Sequence, residues 1–115
     1  MNLENQVWML LTKVEQLMHQ QDLWSLTPPE LSAFDSQEPF SIDTMSPEEW
    51  LQWVFVPRMR AVIEAHQPLP ARIAIAPYFE EAFNPRPEDH QELIDTLKSI
   101  DALLNKEFSP SRRRE

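Results

Sequence analysis

Glu88, Asp89, His90 and Glu92 form the densest acid–histidine group in the chain. Such a group could hold a metal or move protons, but metal sites generally need three converging ligands. Glu88 and Glu92 share one helix face, whereas His90 points elsewhere. The spacing better fits an acidic first helical turn, where carboxylates offset exposed N–H groups. Glu80 and Glu81 make a second acidic pair, after Pro77-Tyr78-Phe79. Paired carboxylates serve as acid and base when their environments split the two pKa values. Neighbours on a helix diverge by about 100°, so this pair does not converge. Asp43 stands ahead of Thr44 and Ser46 and could act as a base, but it equally suits an Asx turn. A small enzyme built on this chain would have to use Asp43, Glu80 or His90. His19 and His66 sit near expected helix ends, which favour a histidine for structural reasons. No catalytic residue is assigned, and no metal or cofactor is expected.

The other notable set is aromatic and cationic. Trp50, Trp53, Arg58, Pro77, Tyr78, Phe79 and Glu80 form the candidate binding surface. Binding hot spots are enriched in Trp, Tyr and Arg, although large aromatics also build small cores. A division is expected. Leu51, Phe55, Met59 and Val62 should face inward, with part of the Trp50 and Trp53 side toward a groove. Glu80 could reach a basic group such as Arg58 across the bundle.

These residues need elements to position them. Val7, Leu10, Leu11, Val14, Leu17 and Met18 recur with helical period, predicting a helix from Asn2 to about Asp22. From Leu23 to Thr44 the chain carries Pro28, Pro29 and Pro39, yet Leu26, Leu31, Phe34, Phe40 and Ile42 recur through it. An ordered loop lying across the bundle is expected, with one helical turn near Pro29 to Phe34. Ser46-Pro47-Glu48-Glu49 reads as a capping box with proline at the first helical position. The helix it opens should run to about His66, kinked at Pro57. It is apolar nearly all round, which marks a central helix or one that is partly a docking surface. A short helix should follow Pro77. Pro87 should then open the last one, whose stripe is Leu93, Ile94, Leu97, Ile100 and Leu104. The first and last helices, with one stripe each, should flank the second.

Composition agrees. The chain has 115 residues, 11 Pro and neither Gly nor Cys. Average usage of about 7% would give about eight glycines. Their absence excludes a P-loop, a Rossmann fingerprint and a nucleophile elbow. The absence of cysteine excludes thiol chemistry and disulfides. The expected fold is all-α: a small helical bundle of three longer helices plus one short helix, with a Pro-rich ordered loop between the first two long ones. Residues 1–108 should form a single domain and 109–115 a disordered basic tail. The net charge is −9, and the last six residues carry +2, leaving −11 on the rest. So acidic a body disfavours direct nucleic-acid binding. The three arginines 112–114 are too few to reverse that. No apolar run approaches the ~20 residues of a membrane span, and no signal-peptide pattern is seen. A cytoplasmic protein is expected.

Pro39-Phe40, Ile42-Asp43-Thr44-Met45, Glu49-Trp50-Leu51-Gln52-Trp53-Val54 and Pro57-Arg58-Met59 stand in an unusual order. With Gln67-Pro68-Leu69-Pro70 and Ala76-Pro77-Tyr78 followed by Glu80, they resemble the YqcC-like family of small bacterial proteins. The resemblance covers most of residues 1–107 and implies an all-helical fold. It also implies a link to tRNA modification, because members are associated in neighbourhood and naming with a tRNA pseudouridine synthase. It supplies no catalytic residues. The chain is too short and too helical to be that synthase. The expected role is a non-enzymatic protein-interaction module, with an accessory role in tRNA pseudouridine modification as the alternative. The partner would be a protein, such as a tRNA-modifying enzyme, and the surplus apolar face would also suit a homodimer.

Overall fold

The computed structural model describes residues 2–70, 73–83 and 90–108. The expected Pro87 helix start, the Glu88 and Asp89 carboxylates and the basic tail lie outside them. Four helices and no strand are present among the described residues. They are α1 (Leu3–Gln20), α2 (47–64), α3 (Ala76–Ala82) and α4 (Gln91–Phe108). The all-α expectation of three longer helices and one short one is what the chain adopts.

Helix α1 begins where its sequence dictates. The Asn2 side chain accepts the Asn5 N–H at 2.8 Å, satisfying one of the donors a helix start leaves free. Val7, Leu11, Val14, Leu17 and Met18 are buried along one stripe. Leu93, Leu97, Ile100 and Leu104 make the matching stripe of α4. The two stripes close mainly on each other, and this is the most extensive helix pairing. The expected arrangement, with α1 and α4 flanking α2, is therefore corrected. A single-stripe helix buries most apolar area by facing another single stripe. Helix α2 docks on α1, and α3 docks on α4.

Without glycine, the helix ends take an uncommon form. After α1, Asp22 is left-handed at φ 58°, with Leu23 N–H to Met18 O at 2.8 Å and Asp22 N–H to His19 O at 3.3 Å. After α2, His66 is left-handed at φ 56°, with Gln67 N–H to Val62 O and His66 N–H to Ile63 O, both at 3.0 Å. Both are Schellman caps, which usually carry glycine at this position. A left-handed side chain costs about 1–2 kcal/mol, less for Asp. His66→Gly is thus expected to stabilise the fold by about 0.5–1 kcal/mol after the added freedom of the unfolded chain is deducted. Asp22→Gly should gain less. Urea-denaturation midpoints check both.

Helix α2 opens with the expected capping box. Glu49 N–H donates to Ser46 Oγ at 3.2 Å, and Ser46 N–H donates to Glu49 Oε1 at 2.8 Å. Pro57 does not simply kink the helix. Residues Leu51–Phe55 widen into a π-helical turn, with Val56 N–H donating to Leu51 O. Pro57 has no N–H for the Trp53 carbonyl, and its ring would crowd that carbonyl in a regular helix. The wide turn relieves the crowding, and such turns often mark functional sites.

The segment between α1 and α2 is ordered, with 3-10 turns at Leu31–Asp35 and Pro39–Ser41. Its apolar residues do not all pin it down, contrary to expectation. Leu26 is 92% exposed and Leu31 88%, and Phe34 and Ile42 are also exposed. Of the five recurring residues only Phe40 packs on the core. A polar clamp holds the rest. Buried Gln52 accepts the Ser25 N–H at 2.8 Å and donates to the Ser25 carbonyl at 2.7 Å. Thr44 Oγ1 donates to Ala33 O at 2.7 Å, and Ser36 Oγ donates to Asp43. The primary amide of Gln52 meets both backbone groups of one residue, leaving none unpaired.

Candidate functional site

The apolar surplus of α2 resolves into two stripes. Leu51, Gln52, Phe55, Val56 and Met59 are buried. Trp50, Trp53, Val54, Pro57 and Arg58 recur at i, i+3, i+4, i+7 and i+8 and line a surface groove of about 600 Å³. The facing wall comes from the loop: Phe34, Ser36, Glu38, Phe40 and Ser41. A neighbouring groove of about 350 Å³ shares Phe40, Trp50, Val54 and Arg58 and runs on to Ile75. A third, of about 460 Å³, shares Trp53 and Pro57 and reaches exposed Leu26. The outer stripe of α2 is thus the floor of one extended concave face.

Seven residues were expected at the binding surface. Trp50, Trp53 and Arg58 line the groove together. Tyr78 stands behind it, its ring stacked on Phe40 at 4.0 Å and 6°. Phe79 is a correction: it is 0% exposed and belongs to the core. Its ring meets Tyr78 edge-on at 5.4 Å and Phe83 at 5.8 Å, because the inward face of α3 closes the bundle. Pro77 and Glu80 are exposed but are not among the groove-lining residues. Glu80 pairs with Lys98 of α4 at 3.3 Å, not with Arg58. Val62, expected inward, is only half-buried.

Phe40 is the residue sequence reasoning missed. It holds φ 59° and ψ 15°, and Ser41 follows at φ 48°. Two successive left-handed residues, one of them bulky, cost about 1–3 kcal/mol each. The Tyr78 stack and an edge contact to Trp50 at 4.8 Å hold the ring in place. Burial raises the Tyr78 hydroxyl pKa, and the Glu48 carboxylate raises it further.

The charges at the groove are uneven. Lys13 pairs with Glu92 at 3.8 Å, Arg60 with Glu15 at 2.7 Å, and Lys98 with Glu80. Arg60 also lies over the Trp8 ring at 4.8 Å and donates to Thr12 Oγ1 at 3.0 Å. Arg58 has no acidic partner among the described residues. The Trp53 indole N–H is covered and finds no acceptor among the described residues.

The candidates for chemistry are separately engaged. Asp43 accepts from Ser36, and Glu80 is paired with Lys98. The His90 ring contacts Gln21 Oε1 at 2.6 Å through Nδ1 and packs on Phe83 at 4.3 Å. His19 stacks on Trp24 at 4.6 Å. Among the described residues no three His, Asp or Glu side chains could hold a metal. No helix among them is long and apolar enough to cross a membrane.

A second unforeseen residue positions the site from behind. The carboxylate of Asp101 on α4 accepts the backbone N–H groups of Ile75 at 3.1 Å and Ala76 at 2.9 Å. Ile75 cannot cap α3, so α4 supplies the cap from outside. Asn105, one turn on, donates to the Ile73 carbonyl at 2.8 Å. Together they fix the segment that carries Tyr78.

A family profile described as "tRNA pseudouridine synthase C" matches residues 6–103. The chain is 48% identical over 103 residues to an uncharacterized protein of Haemophilus influenzae, covering 90% of this chain and 96% of that one. It is 36% identical over 104 residues to the uncharacterized protein YqcC of Escherichia coli, covering 90% and 95%. The solution NMR structure of E. coli YqcC superposes with a TM-score of 0.84 at 34% identity, covering 100% of this chain and 98% of that one. A segment 51% identical over 70 residues, 61% of this chain, makes up 19% of a protein named tRNA pseudouridine synthase C in Pectobacterium carotovorum.

Proposed function

The chain belongs to the YqcC-like family, and we propose that it is a protein-interaction module rather than an enzyme. The carrying observation is the outer stripe of α2, where Trp50, Trp53 and Arg58 line a groove walled by Phe34 and Phe40. Aromatic and arginine side chains at a concave face are the composition of an interface hot spot. Asp43, Glu80 and His90 are each engaged elsewhere, so the groove has recognition groups without an acid–base pair.

A second reading concerns the partner, and one observation favours it. In Pectobacterium a segment like this chain occupies about a fifth of a protein named for tRNA pseudouridine synthesis, leaving about four fifths outside the match. Two modules joined in one chain meet at high effective concentration, and the same pair expressed separately must associate by affinity. The partner is then a tRNA pseudouridine synthase, and this protein is its accessory. The net charge of −9 favours a contact on the enzyme over one on the tRNA.

The test mixes purified protein with a purified tRNA pseudouridine synthase of the same organism, followed by size exclusion with and without ribonuclease. Co-elution that survives ribonuclease is expected. Co-elution abolished by ribonuclease would make RNA the bridge, and separate elution would remove the enzyme as partner.

A further inference from the structure

The groove has a polarity that the proposed interaction does not by itself require. In a chain with 19 acidic and 10 basic residues, an exposed cation normally finds a carboxylate nearby. Arg60, Lys13 and Lys98 do so. Arg58 has none among the described residues, although it lies beside Trp50, Val54 and Pro57 in the floor of the groove. Its place on the stripe makes it common to two adjoining grooves, one walled by Phe34 and Phe40 together with the polar Ser36, Glu38 and Ser41, the other largely aromatic or aliphatic. Guanidinium recognises a carboxylate through paired hydrogen bonds, and more strongly where apolar walls exclude water. Glu38, on the opposite wall, repels a carboxylate on its own side and so favours the Arg58 side.

We infer that Arg58 is the specificity residue of this groove. The occupant is a short apolar segment of the partner protein that brings one carboxylate to the Arg58 guanidinium. Bulky side chains on either side of that carboxylate fill the two cavities that Arg58 separates. An RNA phosphate is a poorer occupant, because one arginine in an acidic chain neutralises only one charge. The inference rests on the protein-interaction reading and adds the chemistry of the contact.

The experiment measures Kd for the purified synthase at physiological salt, using the full chain and its Arg58→Ala, Arg58→Glu and Lys98→Ala variants. Arg58 is exposed and holds no ion pair among the described residues, so its variants should fold, which circular dichroism verifies. Arg58→Ala is expected to weaken binding about tenfold or more, and Arg58→Glu about a hundredfold. Lys98→Ala, which removes an equal charge elsewhere, should leave Kd unchanged. A synthase variant with one interfacial Asp or Glu changed to Lys should restore binding to Arg58→Glu. Tight binding indifferent to both Arg58 variants would overturn the inference and leave the protein-partner reading standing. Equal losses from Lys98→Ala and Arg58→Ala would reduce the effect to long-range charge and also overturn it. Absence of binding by the unaltered chain would remove the synthase as partner and the inference with it.

Discussion

Replacing Phe79 by alanine is expected to destabilise the protein by about 3–5 kcal/mol, the largest single effect foreseen. The side chain is 0% exposed and meets Trp50, Tyr78 and Phe83. Its removal leaves a cavity between α2 and α3 that their fixed backbones cannot fully close. Loss of that support also frees Tyr78, and with it the stack that keeps Phe40 in its left-handed conformation. Phe79→Ala should therefore lower both the thermal midpoint and affinity for any groove partner. A residue that only touched a partner would lose affinity with the midpoint unchanged. Thermal unfolding followed by circular dichroism separates the two.

The second large effect is at Asp101, which is 8% exposed and caps α3 from another helix. Asp101→Ala leaves two backbone N–H groups without their acceptor, costing about 2–4 kcal/mol. Asp101→Asn keeps one acceptor and turns an amide N–H against the other donor, costing about 1–3 kcal/mol. The carboxyl also has a pH signature. Burial raises its pKa above the ordinary 3.8, and outweighs the two N–H donors that lower it. The folded state therefore holds the Asp101 proton to higher pH than the unfolded state does. The contribution of this group is most favourable below pH 3.8. It falls as pH rises from there to the raised value, then stays level. The stability of the protein relative to its Asp101→Asn variant, measured by urea unfolding, should show this decline across that window.

These two residues show where sequence reasoning reaches and where it stops. Local signals were legible. The Ser46–Glu49 capping box and the stripes of α1 and α4 each depend on residues within a turn or two of one another. The all-α fold followed from them and from the absence of glycine. Phe79 could not be separated from Tyr78 by type, since both are aromatic neighbours on a short helix. Only the docking of α3 on α4 decides which ring turns inward. Asp101 sits 25 and 26 residues from its partners, and nothing local marks it as a cap. Gln52 reaches 27 residues back to Ser25 and read as one polar residue in an apolar helix.

The candidate site was legible in part for the same reason. Trp50, Trp53 and Arg58 lie on one stripe of one helix, so helical period brings them together. The opposite wall was not. Phe34 and Phe40 reach it through a loop whose path depends on 3-10 turns and left-handed backbone. Leu26, Leu31 and Ile42 carried a misleading signal, because apolar recurrence in a loop predicts burial and here yields exposure. Leu26 lines the third groove, where its exposure suits a surface that a partner covers.

The outer stripe of α2 is expected to meet a protein. The most direct measurement is a backbone amide NMR titration of isotope-labelled protein with unlabelled, ribonuclease-treated tRNA pseudouridine synthase. Perturbations concentrated at residues 34–41 and 50–58, with the α1–α4 pairing unaffected, are the predicted result. Perturbations confined to the exposed faces of α1 and α4, or none at saturating enzyme, would contradict it.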